Sequence, residues 1–98
     1  MATITIFSIV HTSADADHGE FPQPRLEGSF LSLEQARDAM RRLVKAESEN
    51  NLSPLCKENC CTDAGPDYWE AYEDGYAAAC FSRYDIVGSE LALGRDLA

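Results

Sequence analysis

The 98-residue chain lacks several features that would point directly to a function. No stretch approaches the roughly 18 apolar residues of a membrane-spanning helix, so no membrane contact is expected. Glycine-rich phosphate loops and basic–aromatic nucleic-acid motifs are also missing, which argues against direct nucleic-acid binding. The apolar run at the start has no cationic leader and no small-residue cleavage site after it. We therefore expect a cytoplasmic protein, in which cysteine thiols stay reduced.

Basic residues are scarce, with eight against 17 acidic residues and a net charge of −9. Residues 32–50 hold four basic and four acidic residues, so the remaining 13 acids face only four bases. Such a charge repels nucleic acid and attracts basic partners. Its simplest role is solubility. The more specific hypothesis is an acidic surface that occupies a basic site on a partner protein.

The first half of the chain predicts a strand, a loop and a helix. Residues 3–11 are rich in Ile, Val and Thr on both faces, which indicates an interior strand. The polar residues 13–24 contain Gly19, Pro22 and Pro24 and predict a loop. Residues 25–30 predict a short extended segment that returns beside the first strand, although Gly28 weakens this prediction.

The best helix signal begins at Ser32, an N-cap residue with Gln35 three positions later. One stripe follows helical spacing and is apolar except at its last member; it consists of Leu33, Ala36, Met40, Leu43, Val44 and Glu47. Asp38 is expected to pair with Arg42. The helix should end near Glu49, before the Asn and Pro residues that follow.

The second half predicts a long loop and a hairpin. Residues 50–67 read as a polar loop with three cysteines at its centre. Asp74-Gly75 is a two-residue hairpin signal between arms at residues 68–73 and 76–87. In that register Trp69 lies opposite Cys80, and Tyr72 lies opposite Ala77. A helix through residues 77–79 is the competing interpretation.

These elements predict one domain over residues 1–98, with residues 89–98 as a C-terminal tail. The fold class is α+β, in which one amphipathic helix packs on an antiparallel or mixed sheet in the order ββαββ or βαββ. If the first strand paired in parallel with a hairpin strand, the crossover would be right-handed.

Two segments carry a resemblance to known proteins. GSFLSLEQAR at residues 28–37 and WEAYEDGYAAACFSRYDI at residues 69–86 resemble small uncharacterised acidic proteins of bacterial mobile elements and prophages. The likeness covers about half the chain, and its motifs are structural. It implies an accessory or host-interaction role and transfers no site residues.

The segment CKENCC raises the question of metal binding. Cys56, Cys60 and Cys61, with Cys80, offer four sulfur ligands for zinc, which His11 or His18 could supplement. The Cys-x3-Cys-Cys spacing matches no established zinc template. A disulfide such as Cys56–Cys60 is the second interpretation, and a buried Cys80 with free loop thiols is the third and the preferred one. We therefore expect no cofactor, with zinc as the alternative.

No cysteine has the surroundings of a catalytic nucleophile. A reactive thiolate needs a lowered pKa and a positioned base, such as His11 or His18 oriented by Asp15 or Asp17. Glu58 and Asp63 instead place negative charge near the cysteine segment, which disfavours a thiolate. We expect no catalytic residues and no enzymatic activity.

Aromatic and acidic residues alternate around the predicted hairpin, and such a patch is a common partner-binding surface. The candidate interface comprises Tyr68, Trp69, Glu70, Tyr72, Glu73, Asp74 and Tyr76. The leading hypothesis is a non-enzymatic protein that binds a basic protein partner, for example as a nucleic-acid mimic. The alternative is a small zinc-binding or thiol redox module. An exposed hairpin edge would also allow a homodimer across a twofold axis.

Overall fold

Five strands and one helix make up the part of the chain that this computed structural model describes, residues 2–15, 20–49, 60–74 and 80–93. The elements are β1 (Ala2–Asp15), β2 (Glu20–Phe30), α1 (Leu33–Glu47), β3 (Cys60–Gly65), β4 (Tyr68–Glu73) and β5 (Cys80–Leu93). The strands form one antiparallel sheet in the order β2-β1-β5-β4-β3. The α+β class is therefore confirmed, whereas the order ββαβββ adds one strand to the predicted ββαββ.

The longest ladder joins β1 to β5, from Ala2 opposite Leu93 to Asp15 opposite Cys80. The interior position predicted for the first strand is confirmed, because β2 lies along its other side. The predicted tail is wrong for residues 89–93, which continue β5 because each of them lies opposite a residue of β1 in the ladder. The pairing is antiparallel, so the parallel crossover considered above does not arise.

The loop predicted for residues 13–24 is wrong at both of its ends, where the structure has strands. β1 continues through Asp15, and β2 already begins at Glu20. Pro24 pairs with Thr12 inside this ladder. Within the described residues β2 is the outermost strand on its side, and an edge strand tolerates residues without an N–H donor. The register shifts after the pair Ile9–Gly28, so Glu27 forms a bulge.

Helix α1 follows its predicted start and ends two residues before the predicted Glu49. The Ser32 side chain accepts a hydrogen bond from the backbone N–H of Gln35 at 3.4 Å, as the cap signal predicted. The predicted Asp38–Arg42 pair is replaced by an ion pair between Asp38 and Arg41, one residue closer along the helix.

The β3–β5 region differs from the predicted loop and hairpin. Residues 60–65 form β3, which pairs with β4. The loop predicted for residues 50–67 is therefore wrong at residues 60–65. Residues 50–59 lie outside the described part. β4 has the predicted bounds, but Tyr72 pairs with Phe81 and Trp69 with Tyr84. The prediction of a two-residue turn at Asp74-Gly75 is therefore wrong, because eight residues lie between Tyr72 and its partner Phe81. The alternative helix at residues 77–79 also lies outside the described residues.

The core lies between α1 and one side of the sheet. Its buried centre consists of Ile9, Met40 and Tyr84, and Phe30, Ala39, Leu43, Val44, Trp69 and Ile86 pack around it. Of the predicted stripe, Ala36, Met40 and Glu47 are fully buried. No helix in the described ranges is both long enough and apolar enough to cross a membrane.

Candidate functional site

Strand β4 divides the candidate interface between the two sides of the sheet, because successive residues of a strand point in opposite directions. Trp69 pairs with Tyr84, which belongs to the core under α1. Tyr68, Glu70 and Tyr72 occupy the alternate positions of β4 and therefore lie on the side away from the helix.

The neighbouring strands add charged groups to that side. We call the whole set the acidic–aromatic face, and it comprises Asp63, Tyr68, Glu70, Tyr72, Arg83 and Asp85. The Tyr68 hydroxyl donates to Oδ2 of Asp63 at 3.1 Å. Arg83 donates from Nε to Oδ2 of Asp85 at 2.8 Å, and its Nη1 is 3.5 Å from Oε2 of Glu70. Two carboxylates, Asp85 and Glu70, thus pair with one guanidinium group, and the third, Asp63, accepts from Tyr68.

Negative charge on this face acts on both tyrosines. The hydrogen bond to Asp63, followed by burial, raises the pKa of the Tyr68 phenol above its ordinary value. The nearby Cys61, then burial and the charge of Glu70, raise the pKa of Tyr72. Both phenols therefore stay neutral at physiological pH, and the local potential favours cations.

The remaining predicted interface residues lie elsewhere. Trp69 is half-buried and contacts Tyr84 with ring centroids 6.1 Å apart, so it stabilises the core. Glu73 lies on the same side of β4 as Trp69. Asp74 is exposed just after the strand. Tyr76 lies outside the described residues.

A buried polar cluster lies on the helix side of the sheet. Nε2 of His11 is 2.8 Å from Oγ of Ser82, and its Nδ1 is 3.4 Å from Oε1 of Glu27. His11 is 8% exposed and Ser82 only 1%. The imidazole stacks on Tyr84, whose hydroxyl donates to Oε2 of Glu47 at 3.3 Å. Burial, together with the Glu47 carboxylate, strongly raises the pKa of Tyr84.

The buried cluster was not predicted as a unit. His11 was considered with Asp15 or Asp17. The structure places Glu27, at the bulge of β2, 3.4 Å from its Nδ1, and Asp17 lies outside the described residues. The available signal was Glu47, the one charged member of the apolar stripe of α1. A charged residue on such a stripe indicates a buried polar partner.

The order of carboxylate, imidazole and hydroxyl in Glu27, His11 and Ser82 resembles that of a hydrolase triad. The Nε2–Ser82 hydrogen bond forms with either imidazole tautomer, because a serine hydroxyl can both donate and accept. The Ser82 hydroxyl is buried in this structure, and its bond to His11 satisfies two buried polar groups.

The cysteines are distributed over both sides of the sheet. Cys60 pairs with Glu73 and lies on the helix side, whereas Cys61 pairs with Tyr72 and lies on the acidic–aromatic side. Adjacent strand residues cannot both turn toward one ion without distorting β3. Cys80 is buried opposite Asp15. In the described ranges no group of three or more His, Cys, Asp or Glu residues is placed to hold a metal; Cys56 and His18 lie outside them.

Comparisons with protein-family models, curated proteins and solved structures found no match to this chain. The physical properties of the two sites are therefore the basis for assigning a function.

Proposed function

We propose that this protein is a non-enzymatic interaction protein whose acidic–aromatic face binds a basic segment of a partner protein. The supporting observation is the position of Tyr68 and Tyr72 among Asp63, Glu70 and Asp85, on the side of the sheet away from α1. Aromatic residues are enriched among the residues that dominate binding energy at interfaces.

An intramolecular contact illustrates the proposed recognition. The guanidinium carbon of Arg83 lies 4.9 Å from the centroid of the Tyr68 ring, so this ring already binds a cation. Tyr72 lies four positions further along the same strand, and it is two positions from Glu70 on the same side of the sheet. An arginine or lysine of the partner would stack on Tyr72 and pair with Glu70, since cations are attracted to tyrosine faces.

The charge balance of the face favours a basic occupant. Its three carboxylates exceed its single arginine, and the whole chain carries −9. Such a field speeds the association of a basic protein and repels nucleic acid. A specific version is a nucleic-acid mimic, in which the carboxylates occupy a site that binds phosphates. The mobile-element resemblance is consistent with a host protein as that partner.

Fluorescence anisotropy with a labelled arginine-rich peptide tests the proposal. The double variant Asp63→Asn/Glu70→Gln should weaken binding about tenfold, since two lost charge contacts are each worth roughly 0.5–1 kcal/mol at a partly exposed site. Tyr72→Ala should also weaken it. Affinity should fall as salt is raised, because exposed charges are screened.

The matched control removes the same two charges from exposed positions on or just after α1, as Glu34→Gln/Glu49→Gln. We expect this control to bind as the unchanged protein does. Equal weakening by both double variants would show that the peptide responds only to net charge, and the assignment to the acidic–aromatic face would then be wrong.

A further inference from the structure

The N-terminal end of β1 and the C-terminal end of β5 form a two-stranded arm that extends beyond the rest of the sheet. β2 pairs with β1 only from Phe7 onward, and β4 pairs with β5 only as far as Asp85. Residues Ala2–Ile6 and Ser89–Leu93 therefore pair with each other alone, within the described part of the chain. A two-stranded ribbon is marginally stable by itself in water, and a third strand would stabilise it.

The outer edge of residues Ala2–Ile6 lacks the features that normally protect an edge strand. β2, the edge on the same side of the sheet, carries Pro22, Pro24 and a bulge at Glu27. Such features prevent edge-to-edge association. Ala2–Ile6 contains no proline and no charge, and four of its five residues are β-branched. This edge is therefore suited to pairing with another strand.

We propose that Ala2–Ile6 pairs antiparallel with the same segment of a second copy of the chain across a twofold axis at Ile4. In this register Ile4 faces its own copy, Thr3 faces Thr5 of the other copy, and Ala2 faces Ile6. Antiparallel pairing of a segment with itself satisfies twofold symmetry. Cross-strand Thr–Thr pairs are favourable.

Charge and surface composition favour a second copy over the basic partner of the acidic–aromatic face. The arm carries one charged residue, Glu90, opposite Thr5, although the chain as a whole carries −9. Two copies therefore meet here with little repulsion. On the side away from α1, Ile4 and Ile6 adjoin the half-exposed Leu91 and Val87. Pairing brings both sets together in one apolar strip, which removes additional apolar surface from water.

Analytical ultracentrifugation over a range of concentrations tests the dimer. The variant Thr3→Lys/Thr5→Lys places lysine opposite lysine twice at the interface, while Thr5→Lys also faces Glu90 within its own chain. The matched variant Thr3→Glu/Thr5→Lys differs at one position and places glutamate opposite lysine twice. We expect the dissociation constant of the first to exceed that of the second by about tenfold or more, since like charges directly opposite are destabilising.

A cysteine at the twofold axis tests the register. The Cα atoms of residues directly opposite in an antiparallel pair are about 4.5–5.5 Å apart, which is within the range of a disulfide. Ile4→Cys should therefore give an oxidised dimer linked through residue 4, identified by peptide mass spectrometry. Thr3→Cys, one position off the axis, should crosslink far less.

Two results would overturn the proposal: a wild-type chain that stays monomeric at the highest concentration, or a Thr3→Lys/Thr5→Lys variant that dimerises as tightly as the matched one. Circular dichroism and thermal melting of both variants show whether each is folded. Neither result affects the acidic–aromatic face, because its peptide-binding assay does not involve the arm.

Discussion

The imidazole of His11 and the phenol ring of Tyr84 stack with centroids 4.2 Å apart and planes inclined by only 9°. The two residues lie directly opposite each other on β1 and β5. This stack connects the two halves of the buried cluster, because His11 contacts Ser82 and Glu27 whereas Tyr84 donates to Glu47. The cluster thus joins β1, β2 and β5 to α1.

Loss of the Ser82 hydroxyl should destabilise the fold. Ser82→Ala removes the hydrogen-bond partner of His11 Nε2 in a buried position, which costs about 1–3 kcal/mol in free energy of unfolding. The control is Ser8→Ala, because the Ser8–Ser29 hydroxyl bond of 2.9 Å is exposed to water. Its cost should stay below about 1 kcal/mol. Urea unfolding measures both, and equal costs would contradict a structural role for the buried cluster.

Stability should fall at alkaline pH because of Tyr84. The pKa of a tyrosine phenol is near 10.0 in the unfolded chain and is raised by burial in the fold. Below the unfolded value both states are protonated, and the stabilisation is fully present. As the pH rises above it, the unfolded state loses a proton that the folded state keeps, so the free energy of unfolding decreases.

Tyr84→Phe tests this origin, since the variant lacks the titrating phenol. Its free energy of unfolding should fall less steeply than that of the unchanged protein in urea titrations between about pH 9 and 11. Tyr68 and Tyr72 are present in both proteins, so their contributions to the pH dependence of stability cancel in the comparison. If the free energies of unfolding of the two proteins fell in parallel with pH, Tyr84 would not contribute to the loss of stability at alkaline pH.

Gly65 controls the position of Tyr68 on the acidic–aromatic face. A Cβ at residue 65 would lie 2.9 Å from Cδ1 of the Tyr68 ring and still closer to Cε1, so Gly65→Ala must displace the ring. The Tyr68–Asp63 bond and the Arg83 contact would be lost, and we expect weaker binding of the arginine-rich peptide. Gly88→Ala is the control, because its Cβ would meet Phe7 at an ordinary 3.6 Å. Undiminished binding by Gly65→Ala would exclude Tyr68 from the interface.

The ion pair of Arg37 with Asp67 fastens α1 to the segment between β3 and β4. Nε of Arg37 donates to Oδ1 of Asp67 at 2.7 Å, and both side chains are partly exposed. A double-mutant cycle with Arg37→Ala and Asp67→Ala should give a coupling energy of about 0.5–1 kcal/mol. The fully helical pair Asp38–Arg41 should give about 0.2–0.5 kcal/mol. A coupling energy near zero for Arg37–Asp67 would show that solvent screening cancels the attraction between the two charges.

Local sequence preferences predicted the elements whose signals lie within a few residues. The helix start at Ser32 depends on a side-chain cap that reaches only to Gln35, and it was predicted correctly. The bounds of β4 were likewise correct. The tight turn at Asp74-Gly75 was wrong because strand register depends on partners distant in sequence. The observed register places Trp69 opposite Tyr84 and Ala71 opposite Ser82 on the helix side of the sheet, where Trp69 is half-buried and the other three are buried.

The candidate sites could be predicted only in part, for the same reason. The excess of acidic and aromatic residues around β4 was visible in the sequence, but its division between the two faces was not. The contact of His11 with Ser82 spans 71 residues, and no local pattern indicates it.

The sequence by itself determined the acidic charge, the amphipathic helix and the β-rich segments, because these follow from composition, caps and periodicity. Only the tertiary structure decided that prolines join an edge strand, that β5 continues to Leu93, and that Trp69 turns inward while Tyr68 and Tyr72 turn outward. Each of these outcomes depends on a partner strand supplying hydrogen bonds or on the helix covering one face. Such long-range pairings are the ones that local preferences do not specify.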